Sequence, residues 1–170
     1  RSKSYNTVLL KEAKLLAPKE MVLEIFDINR IPMFNQDLEG DNLPDVIKKL
    51  RTKVSDSSGM LVATPEYGNM VPGVLKNMFE WLSRNYDNDL SPVINKPLAI
   101  IGASDGGFGT VRAQNQLLLM GAILRMRVDA TLRLPISKAD TLINDEGVLQ
   151  DKDTEQKLRK LLDDFYMSLI

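Results

Sequence analysis

Apolar positions along this chain alternate between two spacings, and each change of spacing falls at a turn signal. Residues 6–17 carry Leu9, Ala13 and Leu16 at helical spacing, and Pro18 closes the segment. Residues 21–28 are short, branched and mostly apolar, which predicts a buried strand. Residues 29–42 hold Pro32, Asn35, Gly40 and Asp41 and read as a surface loop. Pro44 then suits the first turn of a helix whose Leu43, Ile47, Leu50 and Val54 repeat at helical spacing. A second strand over 59–64 runs into a loop at 65–71. Pro72 opens the next helix, with Val74, Leu75, Met78, Phe79 and Leu82 on its apolar side. A third strand at 97–102 leads to a glycine-rich loop at 102–109 and a long helix through Leu124. The fourth strand, 126–136, has the scattered charges of a sheet edge. The last helix, 152–170, aligns Leu158, Leu161, Leu162, Phe165 and Leu169 in one stripe.

Strands alternating with helices predict an α/β fold, a doubly wound parallel sheet with helices on both faces. No repeat, low-complexity tract or linker interrupts the pattern, so residues 1–170 read as one domain. The chain enters on a helix, although the first strand of such a sheet is usually central. The expectation is a short leading strand missing from before Arg1, with a genuine four-stranded sheet as the alternative. No apolar run approaches the roughly 20 residues that cross a bilayer. The longest, Leu117 to Leu124, is broken by Gly121. The expected location is the cytoplasm.

Composition then removes whole classes of chemistry. Lys and Arg number 22 against 23 Asp and Glu, a net charge of −1, so nothing pulls the protein toward nucleic acid or an anionic membrane. Hydrophobic residues make up 44% of the 170, enough for a core. There is no Cys, which excludes disulfides, thiolate metal sites and cysteine nucleophiles. There is no His either, which excludes Ser-His triads and imidazole proton shuttles. An enzyme built from this set relies on carboxylates or on a bound cofactor.

Ligands of open parallel sheets bind beyond the carboxyl ends of the strands, and three loops fall there. The first, Arg1-Ser2-Lys3-Ser4-Tyr5-Asn6, enters a helix whose positive end suits a phosphate; equally, Ser4 caps the helix and Arg1 is solvated. The second runs from Thr64 through Pro65, Glu66, Tyr67, Gly68 and Asn69 to Gly73. Its amides can meet the edge of a flat heterocycle, or it is an ordinary turn. The third, Gly102 to Gly109 with Ser104 and Gly107, is a small-residue platform or a tight turn. Gly102/Gly107 and Gly68/Gly73 have G-x-x-x-x-G spacing, but Phe108 and Val74 stand where a nucleotide loop needs Lys. The dinucleotide pattern fails at Arg112. Asp151, Asp153 and Glu155 complement a helix start and Asp163-Asp164 a solvated face, so no metal is expected. Trp81 with Phe79 and Met78 reads as a packed or interface surface. Leu117 to Met120, apolar all round its helix, predicts a homo-oligomer formed through the helices around Trp81 and Leu117–Leu124.

The order Thr64-Pro65-Glu66-Tyr67, then Val71-Pro72-Gly73-Val74-Leu75-Lys76-Asn77 and Trp81-Leu82-Ser83-Arg84, closely resembles the signature of the NAD(P)H-dependent FMN reductase family. That family includes flavin, quinone, chromate and azo-dye reductases on a flavodoxin-like fold. The resemblance continues in Gly102-Ala103-Ser104, Gly107-Phe108-Gly109 and Arg112-Ala113-Gln114. Arg1-x-x-Ser4-x-Asn6 is similar to the end of the family's phosphate loop.

The resemblance implies a flavodoxin-like three-layer sandwich that binds FMN and uses NAD(P)H as cosubstrate. It places Arg1, Ser4 and Asn6, with Tyr5 in the same loop, on the FMN phosphate. The backbone from Pro65 to Gly68, beside Asn69, would line the pyrimidine end of the ring, with Ser104 to Gly107 on its other side. The implied reaction is ping-pong, hydride passing from nicotinamide C4 to flavin N5 and then to a quinone, free flavin, azo dye or metal-oxyanion. No side chain need act as acid or base; loop amides and the Pro72 helix start would stabilise reduced flavin, and Met70 or Phe108 would shape acceptor choice. Two positions depart from the family pattern: Gly68 stands where Asn is common, and Met70 where a small residue is. A flavodoxin-type electron carrier is the first rival, though carriers tend to be strongly acidic. A flavin-binding regulatory protein that never turns over is the second.

Overall fold

The structure, a computed structural model, describes residues 4–86 and 89–170. Its sheet has three parallel strands in the order β1 (Met60–Ala63), β2 (Pro97–Ala103), β3 (Arg127–Ile136). Every residue of β2 is buried, which fits a central strand covered on both faces. Its side chains alternate between two cores. Leu98 and Ile100 face one, which helices α2 (Asp45–Asp56), α3 (Gly73–Leu82) and α4 (Val111–Ile123) fill with Ile47, Leu50, Phe79, Trp81 and Leu117. Ala99, Ile101 and Ala103 face the other. There α1 (Tyr5–Leu16) brings Leu9 and Ala13, and α6 (Lys152–Leu169) brings Leu158, Leu162 and Phe165. A four-residue helix, α5 (Ala139–Leu142), follows β3. The result is helices on both sides of a parallel sheet, as expected.

Local chemistry explains the element ends. Pro44 and Pro72 sit at the N-caps of α2 and α3. Asp151 caps α6, accepting from the Thr154 N–H at 2.8 Å, and hydrogen bonds from Thr154 hold its carboxyl below the usual carboxylate range. That acidic cluster therefore serves the helix, and no metal-binding group of three or more carboxylates occurs among the described residues. On the edge strand β3, residues 129–132 bulge opposite Ala99, between the pairs Leu98–Val128 and Ile100–Arg133.

Three expectations are corrected. Residues 21–27 run without a ladder partner among the described residues, so neither the strand at 21–28 nor a four-stranded sheet is observed. A strand exists only through its neighbour's hydrogen bonds, and among the described residues β1 pairs with β2 alone; Val22 is accordingly 89% exposed. Val74 lies on the open side of α3 rather than its apolar face. Trp81 is fully buried and belongs to the interior, not to an interface. Its Nε1–H donates to Pro32 O at 2.8 Å, and its ring meets Phe34 edge-on at 4.9 Å. Asn77 adds a donor to the same carbonyl and accepts the Phe34 N–H at 2.7 Å. Together they bind the irregular stretch after residue 28 to α3.

Candidate functional site

The carboxyl ends of β1 and β2 open onto the start of α1, and the three predicted loops converge there on one cavity of about 230 Å³. Ser4, Tyr5 and Asn6 form one wall, Pro65, Glu66 and Tyr67 a second, and Ala103, Ser104 and Asp105 a third. Gly68, Asn69 and Gly107 stand outside that lining, and Arg1 lies outside the described residues. Asp105 falls within the expected Ser104–Gly107 stretch, while Ala103 is an addition that spacing alone does not single out. A second cavity of about 280 Å³ lies beside α2 around Arg51, whose guanidinium is committed to internal partners.

The first wall is a helix start. Ser4 accepts the Thr7 and Val8 N–H groups with its carbonyl at 3.0 and 3.1 Å, while its hydroxyl makes no capping bond. The positive end of a 12-residue helix therefore faces the cavity beside a hydroxyl. Asn6 does different work. Its side chain donates to Ala103 O at 3.1 Å and accepts the Ala103 N–H at 2.9 Å, and it is buried. The amide thus splices α1 to the end of β2 and presents the helix start, rather than reaching outward. Tyr5 packs its ring against the core below.

The second wall ends in a tight turn. Tyr67 and Met70 exchange both backbone hydrogen bonds, at 3.2 and 3.0 Å, around Gly68 and Asn69 with φ of +56° and +62°. Two consecutive left-handed residues define a type I′ turn. Asn tolerates that conformation too, so Gly68 in place of the family's usual Asn keeps the backbone path. Glu66, by contrast, turns away toward α4. Its carboxylate accepts the Arg112 and Ala113 N–H groups at 2.9 and 3.0 Å, and Arg112 Nη1 at 3.1 Å. Gln116 accepts the Val71 N–H at 3.0 Å.

The third wall hangs from the end of β3. Ser104 O accepts the Ala139 N–H at 3.1 Å, and the Ser104 hydroxyl donates to Gly109 O at 2.6 Å. Its glycines divide into two kinds. A Cβ on Gly109 would lie within 3.1 Å of the Ile136 backbone, so packing dictates that residue. Gly107 has nothing within 4 Å and leaves room for a ligand. Around the mouth, Tyr67, Met70 and Phe108 are 62%, 56% and 69% exposed. Phe108 reaches this rim through Arg112, whose guanidinium lies 5.0 Å from its ring and also bonds Asn69.

A helix start and free hydroxyl at one end, a backbone-rich turn at the other and an apolar rim are what a phosphorylated, flat, two-sided cofactor requires. The chain belongs to the NADPH-dependent FMN reductase family, whose model matches residues 1–140. It is 36% identical to the NAD(P)H-dependent FMN reductase PA1204 of Pseudomonas aeruginosa, across 95% of this chain and 86% of that protein. It is 32% identical to a 2-hydroxy-1,4-benzoquinone reductase of a Burkholderia species, across 97% and 88%. Among solved structures it resembles FerB, a flavoenzyme NAD(P)H:(acceptor) oxidoreductase of Paracoccus denitrificans. The TM-score is 0.88 at 27% identity, over 99% of this chain and 91% of that one. No helix among the described residues is long and apolar enough to cross a membrane.

Proposed function

We propose that this protein is an FMN-dependent NAD(P)H oxidoreductase that reduces a small-molecule acceptor of the quinone type, in one domain over residues 1–170. The convergence of three loops on one cavity at the strand ends carries the reading. FMN, when bound, supplies the hydride and electron chemistry that a chain without His or Cys lacks. Ser4 and the start of α1, with Arg1, would hold its phosphate. Asn6 fixes that helix start against Ala103. The Tyr67–Asn69 backbone would turn its amides toward the polar edge of the ring and would favour negative charge there. Ser104 and Gly107 support the other side. Tyr67, Met70 and Phe108 form the exposed apolar rim that would take nicotinamide and acceptor in turn. An NAD(P)H-dependent role of this kind suits the cytoplasm.

The reading is tested by steady-state turnover. NADPH or NADH oxidation that requires both FMN and added benzoquinone is expected. Tight FMN binding without nucleotide oxidation would favour the electron-carrier alternative.

A second copy of the chain completes the rim. Arg112, Gln116, Leu119 and Ile123 follow one another at helical spacing along α4, and the last two are 64% and 70% exposed. The same stripe that holds the Tyr67–Met70 turn thus continues as bare apolar surface, which a partner copy covers. Replacing both Leu119 and Ile123 by Glu is expected to leave the fold intact and give monomers in sedimentation analysis. An unchanged oligomer would place the contact elsewhere.

A further inference from the structure

We propose that Glu66 and Arg112 form a latch that sets where the Tyr67–Asn69 backbone stands over the cofactor, which makes both of them positioning residues. The inference rests on the functional reading above. Its basis is an accounting of the first amides of α4. Val111 N–H donates to Phe108 O at 3.3 Å and Gln114 N–H to Thr110 O at 2.9 Å. Between them, the Arg112 and Ala113 N–H groups have the Glu66 carboxylate as their acceptor. Thr110 holds the cap position but makes no capping bond; its hydroxyl accepts from Gln114 Nε2 at 3.0 Å instead. The helix is therefore capped by a residue 46 positions earlier, on the loop that ends β1.

The contact works in both directions. Glu66 has a side chain only 8% exposed, so its charge depends on these donors. Arg112 closes the circuit: Nη1 donates to Glu66 Oε1 and also to Asn69 Oδ1, at 3.1 and 3.2 Å. Gln116, one turn on, takes the Val71 N–H and ties down the far end of the same loop. A turn with two left-handed residues is thus anchored on both sides to a rigid helix. With its carboxylate spent on α4, Glu66 contributes to the cofactor through the placement of the amides that follow it.

The test compares the wild type with Glu66→Gln and Arg112→Ala, each as full chain with and without FMN. Gln keeps the shape of Glu66 but turns an NH2 toward Arg112 or toward the α4 amides. Arg112 is 46% exposed at its side chain, so Arg112→Ala keeps the fold if Glu66→Gln does not. In the FMN-free protein, faster hydrogen exchange is expected at the Arg112 and Ala113 amides of Glu66→Gln. With FMN and NADPH, kcat is expected to fall by about ten- to a hundredfold, more than KM changes, and the flavin midpoint potential to become more negative. Arg112→Ala should shift the same quantities in the same direction by less. Variants that lose thermal stability but keep wild-type kcat, potential and FMN affinity would reduce the pair to a helix cap and overturn the proposal. Wild type that binds no FMN would overturn the functional reading and the latch with it; a wild-type-like Glu66→Gln on an FMN-binding parent overturns the latch alone.

Discussion

Gly102→Ala is expected to destabilise the protein by about 3 kcal/mol and to lower its melting temperature by roughly 6–12 °C. A Cβ at Gly102 would fall 2.0 Å from Thr110 Oγ1 and 2.4 Å from Thr64 O. The second contact is backbone, held in place by the Thr64 N–H bond to Ile101 O at 2.9 Å. Relief therefore requires β1 and β2 to part at the ends that form the cavity, so FMN affinity should fall together with stability. Adding Thr110→Ala removes the hydroxyl clash but leaves the carbonyl clash and strips Gln114 Nε2 of its acceptor. The double variant should recover little. Thermal melts with and without FMN check this, and a wild-type melting temperature for Gly102→Ala would show that the strand ends are not packed this closely.

Arg51→Ala is expected to cost about 3 kcal/mol in a denaturant titration, although the residue does not line the cavity at the strand ends. The side chain is 5% exposed. It donates to Arg84 O at 2.9 Å, to Leu90 O at 3.1 Å and to Trp81 O at 3.5 Å, closing the end of α3 and the segment beyond it. Its guanidinium also lies 4.7 Å from the centre of the Tyr86 ring. Burial pushes the Tyr86 phenol above its ordinary range, with the Glu39 charge adding to the effect. The ion pair to Asp89 at 2.6 Å contributes less, because the Asp89 side chain is 61% exposed and screened by solvent. Asp89→Asn should therefore cost under about 1 kcal/mol, and Arg51→Lys should behave more like the alanine variant, since an ammonium cannot span the fork. Equal losses in Arg51→Ala and Asp89→Asn would assign the stability to the ion pair instead.

Periodicity disclosed those elements whose burial is decided within their own length. β2 is buried on both faces and reads as an unbroken apolar run, and α6 shows its stripe because only one face packs. Residues 21–28 have the composition of a strand, but a strand is a relation between segments, and no sequence window contains the partner. Trp81 misleads for a related reason. An aromatic on a helix fits an interface as well as a core, and only the Pro32 carbonyl, 49 positions away, decides between them. In the site, the loops were visible from their places after strands and from the family resemblance. The tasks of Asn6 and Glu66 were not, because each acts on backbone groups far along the chain, Ala103 for one and Arg112 with Ala113 for the other. Their residue types suited direct cofactor contact equally well.

Reduction of bound flavin by nicotinamide is followed under anaerobic conditions. Full-length protein loaded with FMN is mixed with NADPH or NADH while the visible flavin band is followed. Rapid bleaching with one or both nucleotides, reversed on adding quinone, is expected. A flavin that binds in the cavity and stays oxidised at saturating nucleotide would contradict it.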